Sequence, residues 1–128
     1  MDCKVLVVDD SIILRKAIRK GVVHAGISDE SIREAANGKL ALDQVNEDRP
    51  DLVLLDINMP VMDGEQFLEA LSKRDDYAKM TVIVVSTEVN IKRLARLAKL
   101  GAKGRLHKPF EPEKLIEMIS KHMNKDAA

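Results

Sequence analysis

The sequence predicts an α/β fold: a (βα)5 doubly wound parallel sheet with the flavodoxin-like strand order 2-1-3-4-5. Short runs of continuous apolar residues alternate along the chain with patterns typical of amphipathic helices. Continuous apolarity is typical of the inner strands of a parallel sheet, because helices cover both faces of such strands. Gly, Asn and Asp residues separate the segments. We therefore expect five consecutive β-α units.

Five segments are candidate strands. Three are uninterrupted apolar runs, at Val5–Val8, Leu52–Leu55 and Val82–Val85. Two are interrupted by polar residues, at Ile32–Ala36 and Gly104–His107, as expected of edge strands. Placing the apolar runs centrally gives the order 2-1-3-4-5. Right-handed crossovers then put the first and fifth helices on one face and the other three helices on the opposite face.

Five helical patterns lie between and after these strands. Their predicted apolar faces are Leu14, Ile18, Val22 and Ala25; Ala41 and Val45; Phe67, Leu68 and Leu71; Ile91, Leu94, Ala95 and Ala98; and Leu115, Met118, Ile119 and Met123. Gly26 and Gly101 stand where a helix often ends in a left-handed residue. Asn37, Asp63 and Pro112 stand where helices are expected to begin.

Length and composition indicate one globular domain, predicted to span residues 1–124 with a frayed tail at 125–128. The formal net charge is zero and only three residues are Tyr or Phe, which argues against direct nucleic acid binding. No run approaches the ~20 apolar residues needed for membrane insertion. The single Cys3 and the lack of an apolar leader lead us to expect a cytoplasmic protein.

Polar residues whose side chains can bind a metal or take part in a reaction follow the predicted strands. Asp9 and Asp10 follow the first strand, and Asp56 follows the third. Ser86 and Lys108 follow the fourth and fifth strands. Ligands of such sheets bind beyond the carboxyl ends of the strands, where the strand order reverses. We therefore expect these five side chains to share one rim.

Clustered carboxylates repel one another, by on the order of 4 kcal/mol per pair at ~4 Å and an effective dielectric constant of ~20. Protons or a hard divalent cation must relieve this repulsion, and Mg²⁺ suits a site built from oxygen ligands. A metal beside Asp56 would orient and neutralise an incoming phosphoryl group, and a carboxylate can form an acyl phosphate. Ser86 and Lys108 could hold the remaining phosphoryl oxygens.

Each of these residues also has a structural interpretation. Asp10 or Ser11 can cap the first helix, Ser86 can cap the fourth, and Lys108 can be a solvated surface lysine. The conjunction of all of them on one rim favours a functional site, because grouping carboxylates costs stability.

The segments Val7–Ser11, Asp56–Gly64 and Lys108–Phe110 resemble the signatures of bacterial two-component response-regulator receiver domains. The resemblance covers almost the whole chain and is strongest to the stand-alone chemotaxis type. It implies that Asp56 accepts a phosphoryl group from a phosphohistidine on a sensor histidine kinase or a histidine phosphotransfer protein. It also implies a signalling protein rather than an enzyme, with only self-phosphotransfer and slow autodephosphorylation.

The resemblance further implies a role for each site residue. Mg²⁺ would be bound by Asp9, Asp10, Asp56 and the backbone carbonyl of Asn58. Ser86 stands at the hydroxyl position of the family and Lys108 at its lysine position. Formation of the acyl phosphate would draw the hydroxyl inward and rearrange the surface formed by helix four, strand five and helix five.

Two residues depart from the common pattern of the family. Arg105 stands where the fifth strand usually carries Tyr or Phe, and an always-charged guanidinium is not expected to follow an aromatic ring into an apolar slot. Thr87 stands where a smaller Ala or Gly is usual, and its bulk could change the lifetime of the phosphoryl group.

The fourth helix and fifth strand are basic. Their cations, apart from the site lysine, are Lys92, Arg93, Arg96, Lys99, Lys103 and Arg105. Helix five supplies Glu111, Glu113 and Glu117. The family uses this surface for output, so we expect an acidic protein target there or a homodimer in which basic and acidic strips meet across a two-fold axis.

Two other functions compete with this interpretation. A phosphatase of the haloacid-dehalogenase type also uses a nucleophilic Asp, Mg²⁺, a hydroxyl and a Lys, but needs a second Asp two residues later. Asn58 stands there after Asp56, and Ser11 stands there after Asp9. A flavodoxin-like protein or a phosphorylation-independent receiver-like binding module is the second alternative. Acidic residues in the first loop oppose flavin phosphate, and a degenerate receiver should have lost a carboxylate or the lysine.

Overall fold

A computed structural model of the chain describes residues 3–123, so the predicted tail at 125–128 lies outside the described residues. The strands are β1 Val5–Val8, β2 Ile32–Ala35, β3 Leu52–Leu55, β4 Thr81–Ser86 and β5 Gly104–His107. The helices are α1 Ile12–His24, α2 Gly38–Glu47, α3 Gly64–Ser72, α4 Ile91–Lys99 and α5 Pro112–Met123. Short 3₁₀ turns lie at Asp29–Ser31 and Tyr77–Lys79. All five predicted β-α units are present.

The five strands form one parallel sheet in the order β2-β1-β3-β4-β5, which confirms the predicted topology. Val8, the last residue of β1, pairs with Ala35 of β2 and with Leu55 of β3. The ends of these strands are therefore level, and the residues that follow Val8 and Leu55 emerge side by side at the carboxyl edge of the sheet.

The sheet separates two apolar cores. On one side, α2, α3 and α4 pack on strand residues such as Leu6 and Leu55. On the other side, α1 and α5 pack on residues such as Val5 and Leu54. The predicted distribution of helices over the two faces is confirmed. β1 and β3 are buried on both faces, which is why their sequences are continuously apolar rather than alternating.

The predicted apolar face of α4 was right at Leu94 and wrong at its other three residues. Ile91 is 82 % exposed, and Ala95 and Ala98 are also exposed, whereas Leu97 is buried and Leu94 is partly buried. α4 carries two overlapping apolar stripes, and the stripe with the two leucines faces the sheet because it removes more apolar area from water. Ile91 is consequently left on the surface of the helix.

Side chains fix the starts of four helices. In α1, α2, α3 and α4, the backbone amide of the third helical residue donates to the side chain of the capping residue, which is Ser11, Asn37, Asp63 and Asn90 respectively. Ser11 rather than Asp10 therefore caps α1, and Ser86 does not cap α4. Gly26 and Gly101 have the predicted left-handed backbone, with φ of 103° and 110°. In residues 3–123, no helix has the length and apolarity required to span a bilayer.

Candidate functional site

The predicted site residues lie together at the carboxyl edge of the sheet. The backbone ladder continues one residue beyond the strands: Asp9 N–H donates to Ala35 O at 3.1 Å, and Asp56 N–H donates to Val8 O at 2.9 Å. Lys108 N–H donates to Ser86 O at 2.9 Å. The backbones of these residues are therefore held by neighbouring strands, and their side chains project from a rigid edge.

Burial distinguishes this edge from the rest of the molecule. Among the described residues, the buried polar or charged side chains are Asp9, Asp56, Ser86 and Lys108, and all four belong to the predicted site. Asp10 is exposed at the rim. Charged groups are seldom buried without a partner or a function, so this clustering supports the predicted site.

Lys108 is the cation of the buried group. Its Nζ donates to Asp9 Oδ2 at 2.6 Å and lies 3.5 Å from Asp56 Oδ1. The other oxygen of Asp9 accepts from the Ser11 amide at 2.9 Å, and Asp56 Oδ1 accepts from the Ile57 amide at 2.9 Å. Lys108 is therefore an ion-pair partner of two carboxylates, and its alternative interpretation as a solvated surface lysine is excluded.

Three carboxylates meet at one point. Oxygen atoms of Asp9, Asp10 and Asp56 all lie within 4.8 Å of one another. Burial raises the pKa of the Asp56 carboxyl above its ordinary value, although the Lys108 ammonium opposes this shift; the charges of Asp9 and Asp10 raise the pKa further. A divalent cation would relieve the same repulsion, and an all-oxygen donor set suits Mg²⁺. The residues present therefore fit this metal.

The hydroxyl of Ser86 is buried beside this cluster on the next strand and accepts from the Glu88 amide at 3.3 Å. Asn58 is exposed on the loop after β3, where its side-chain oxygen accepts from Arg93 at 2.9 Å. Thr87 is exposed beside Ser86. The participation of the Asn58 carbonyl in metal binding stays a prediction.

Arg105 is exposed and donates to the backbone carbonyl of Glu88. Its guanidinium therefore lies on the surface between β5 and the loop after β4, and not in an apolar slot. This placement agrees with the expectation drawn from its permanent charge.

Two arginines of the predicted basic surface have partners that the sequence analysis missed. Arg93 contacts Glu88 at 3.0 Å as well as Asn58, so it lies at the mouth of the site. Arg96 pairs with Glu65 at 2.9 Å and Glu69 at 3.5 Å on α3. The expected basic strip is therefore partly neutralised within the chain. These partners are distant in sequence, and only the spacing of Glu88 and Arg93 offered a local signal.

Comparison with known proteins identifies the family. A model of the response regulator receiver domain matches residues 5–120, from β1 into α5. The chain belongs to this family of receiver domains. Family members are signalling proteins of two-component systems rather than conventional enzymes. They normally bind Mg²⁺ at an acidic pocket, and they interact with histidine kinases and downstream targets.

Individual relatives agree with this assignment. The chemotaxis protein CheY of Thermotoga maritima is 35 % identical over 121 residues, which is 94 % of this chain and 98 % of that protein. A probable transcriptional regulator, ycf29 of Porphyra purpurea, is 32 % identical over 127 residues, but this chain spans only 59 % of its length. The solved structure of chemotaxis protein CheY4 of Vibrio cholerae has a TM-score of 0.85 and 33 % identity, covering 94 % of this receiver and 98 % of that chain.

Because the pKa of Asp56 is raised, we expect the ionised Asp56 carboxylate to destabilise the folded receiver at neutral pH. The folded chain binds a proton at Asp56 more tightly than the unfolded chain does. The stabilising contribution of this group is therefore fully present below the pKa of Asp56 in the unfolded chain. It is lost as the pH rises through the pKa of Asp56 in the folded chain. Asp56→Asn should therefore be more resistant to urea than the parent chain at pH 7 without divalent metal. This advantage should shrink as the pH falls toward about 3.9, the ordinary pKa of Asp.

The matched control is Asp43→Asn, which changes an exposed carboxylate on α2. Its free energy of unfolding should stay within about 0.5 kcal/mol of the parent value at both pH values. An Asp56→Asn variant that is less stable than the parent at pH 7 would contradict the electrostatic interpretation of the cluster.

Proposed function

We propose that this receiver is the phosphoacceptor of a two-component pathway and that Asp56 carries the phosphoryl group. The donor is a phosphohistidine of a sensor histidine kinase or of a histidine phosphotransfer protein. The observation that supports this proposal best is the buried constellation of Asp9, Asp56, Ser86 and Lys108, with Asp10 at its rim. The constellation contains a nucleophile, metal ligands, a hydroxyl and an ammonium.

The transfer can be written with the groups of this site. An oxygen of Asp56 attacks phosphorus, the O–P bond of an acyl phosphate forms, and the P–N bond to the donor breaks with its electron pair left on the imidazole nitrogen. Asp9, Asp10, Asp56 and the carbonyl of Asn58 would hold Mg²⁺, which supplies charge neutralisation when it is bound.

Lys108 and Ser86 bind the transferred group. The ammonium of Lys108 already lies 3.5 Å from Asp56 Oδ1, so a phosphoryl group on that carboxylate is within its electrostatic reach. The Ser86 hydroxyl accepts from the Glu88 amide and retains its own proton for donation to a phosphoryl oxygen. Burial of both side chains limits competition from water for these contacts.

The alternatives receive less support from the site. A phosphatase of the haloacid-dehalogenase type needs a general acid two residues after its nucleophile, and the exposed amide of Asn58 cannot transfer a proton in that way. A phosphorylation-independent binding module has no need of a buried lysine that pairs with two carboxylates. Burial of the charged groups of Asp56 and Lys108 costs stability, and the phosphoacceptor function explains why both are present.

We place the output surface on α4, β5 and α5, facing a protein target. Five cations of this surface are exposed: Lys92, Arg96, Lys99, Lys103 and Arg105. Three exposed carboxylates follow on α5 or just before it: Glu111, Glu113 and Glu117. The uncovered side chain of Ile91 adds an apolar contact. These charges fit a homodimer that pairs the two strips, or an acidic target that takes the basic strip alone.

Phosphorylation is tested by incubating the chain with acetyl phosphate or phosphoramidate, with and without Mg²⁺, and measuring its intact mass. The parent chain should gain a single phosphoryl group only when Mg²⁺ is present. Asp56→Asn should gain none, and Asp43→Asn should behave as the parent does. An adduct of equal yield on Asp56→Asn would contradict the assignment of the acceptor.

The homodimer is tested by sedimentation equilibrium of the beryllofluoride-loaded chain. Parent protein should be dimeric, and reversal of two surface charges in Lys92→Glu/Lys99→Glu should return it to a monomer because like charges then face α5. The matched control Lys39→Glu/Lys73→Glu makes the same charge change on exposed residues of α2 and the end of α3, and should stay dimeric. A monomer in every case would exclude the homodimer and leave the acidic target as the partner.

A further inference from the structure

Two arginines hold one residue in the loop between β4 and α4. Arg93 of α4 donates to the Glu88 carboxylate at 3.0 Å, and Arg105 of β5 donates to the Glu88 backbone carbonyl. Glu88 is thus bound from the helix that follows it and from the neighbouring strand. We call the contacts among Glu88, Arg93 and Arg105 the Glu88 clamp.

Arg93 also reaches across the mouth of the site. The nitrogen that binds Glu88 donates to the side-chain oxygen of Asn58 at 2.9 Å, and its other terminal nitrogen lies 3.6 Å from an oxygen of Asp63. Asn58 is two residues beyond the acceptor, and Glu88 is two residues beyond Ser86. One side chain on α4 therefore joins the loop that follows the acceptor to the loop that follows the hydroxyl.

These pairs are better placed than most surface ion pairs. The side chain of Glu88 is 17 % exposed and that of Arg93 is 29 % exposed, so water screens the pair incompletely. A planar guanidinium can bind several acceptors in fixed directions, which an ammonium cannot do. Glu88 also accepts from the Asn90 amide at 3.2 Å, and Asn90 is the cap of α4. The clamp therefore fixes the start of the helix as well as the loop.

The clamp is connected to the chemistry through Ser86. The Ser86 hydroxyl accepts from the amide of Glu88, the residue that both arginines hold. If Ser86 moves toward a phosphoryl group on Asp56, the Glu88 amide must follow or lose this bond. If the amide follows, Glu88 moves away from its contacts with Arg93 and Arg105; if those contacts hold Glu88 in place, Ser86 must give up this bond in order to move. The position of the hydroxyl and the position of α4 are therefore mechanically linked.

We infer that Arg93 is a positioning residue that couples the acceptor site to α4 through the Glu88 clamp. The inference rests on the proposed phosphoacceptor function. The clamp stabilises the loop in its unphosphorylated arrangement, and phosphorylation opens it and releases the start of α4. By reciprocity, a clamp that opposes the phosphorylated arrangement must also weaken the binding of a phosphoryl analogue.

The chain offers a matched control on the same helix. Arg96 lies one turn after Arg93 and also makes two ion pairs, but these go to Glu65 and Glu69 of α3. Removal of Arg96 therefore loosens α4 from α3 while the contacts of Glu88 stay in place. A comparison of Arg93→Ala with Arg96→Ala separates the clamp from a general loosening of the helix.

The test measures the affinity of the chain for beryllofluoride in the presence of Mg²⁺, after thermal unfolding has shown that each variant is folded. Arg93→Ala should bind the analogue roughly fivefold more tightly than the parent. Arg93→Lys should resemble Arg93→Ala, because one ammonium cannot replace the bridge. Arg96→Ala should keep the parental affinity. Without beryllofluoride, amide hydrogen exchange at residues 87–91 should be faster than in the parent in Arg93→Ala and Arg93→Lys, but not in Arg96→Ala.

Parental or weaker affinity in Arg93→Ala would overturn the inference, since weaker binding would mean that Arg93 holds the phosphoryl group directly. An equal rise in Arg96→Ala would also overturn it. Failure of the parent chain itself to bind beryllofluoride would contradict the phosphoacceptor function, and the clamp with it. If the parent binds beryllofluoride and Arg93→Ala binds it with the same affinity, the inferred role of the Glu88 clamp is contradicted, and the phosphoacceptor function is not.

Discussion

The ion pair between Lys108 and Asp9 is the interaction on which the site depends. It spans 2.6 Å, is almost fully buried, and joins residues that are 99 positions apart in the chain. Loss of one partner from a buried pair of this kind typically costs about 3–5 kcal/mol, because the other charge is left without compensation. The ammonium also lies near Asp56, so the same contact that ties the end of β5 to β1 keeps a cation beside the proposed acceptor.

The sheet fixes the positions from which the side chains of the site project. β1 and β3 pair directly and end at the same level, so Asp9 and Asp56 emerge from rigid, hydrogen-bonded backbone. Gly64 packs closely against the backbone carbonyl of Asp56, and a Cβ atom at position 64 would lie 2.3 Å from that oxygen, so little room remains behind Asp56. Ser86 is the last residue of β4, and Glu88 lies in the loop that follows this strand.

Local patterns predicted most of the fold and the buried half of the site. The apolar runs of β1, β3 and β4 and the residues that follow them are contiguous in sequence, so topology alone brought Asp9 and Asp56 together. Sequence patterns did not predict which of two apolar stripes of a helix faces the sheet, or contacts between residues that are far apart in sequence. α4 carries two apolar stripes, and packing against the sheet buries Leu97 and leaves Ile91 exposed. The bond from Arg93 to Asn58 joins residues 35 positions apart, and no periodicity encodes it.

The central claim is that one carboxylate, at the end of β3, becomes an acyl phosphate. Borohydride reduces an acyl phosphate to the alcohol, so peptide mapping after treatment of the phosphorylated chain locates the acceptor without any substitution. The account predicts that the reduced side chain lies at position 56 and that Asp9 and Asp10 are unmodified. Reduction at Asp9 or Asp10, or a stable phosphoryl group that borohydride does not remove, would contradict it.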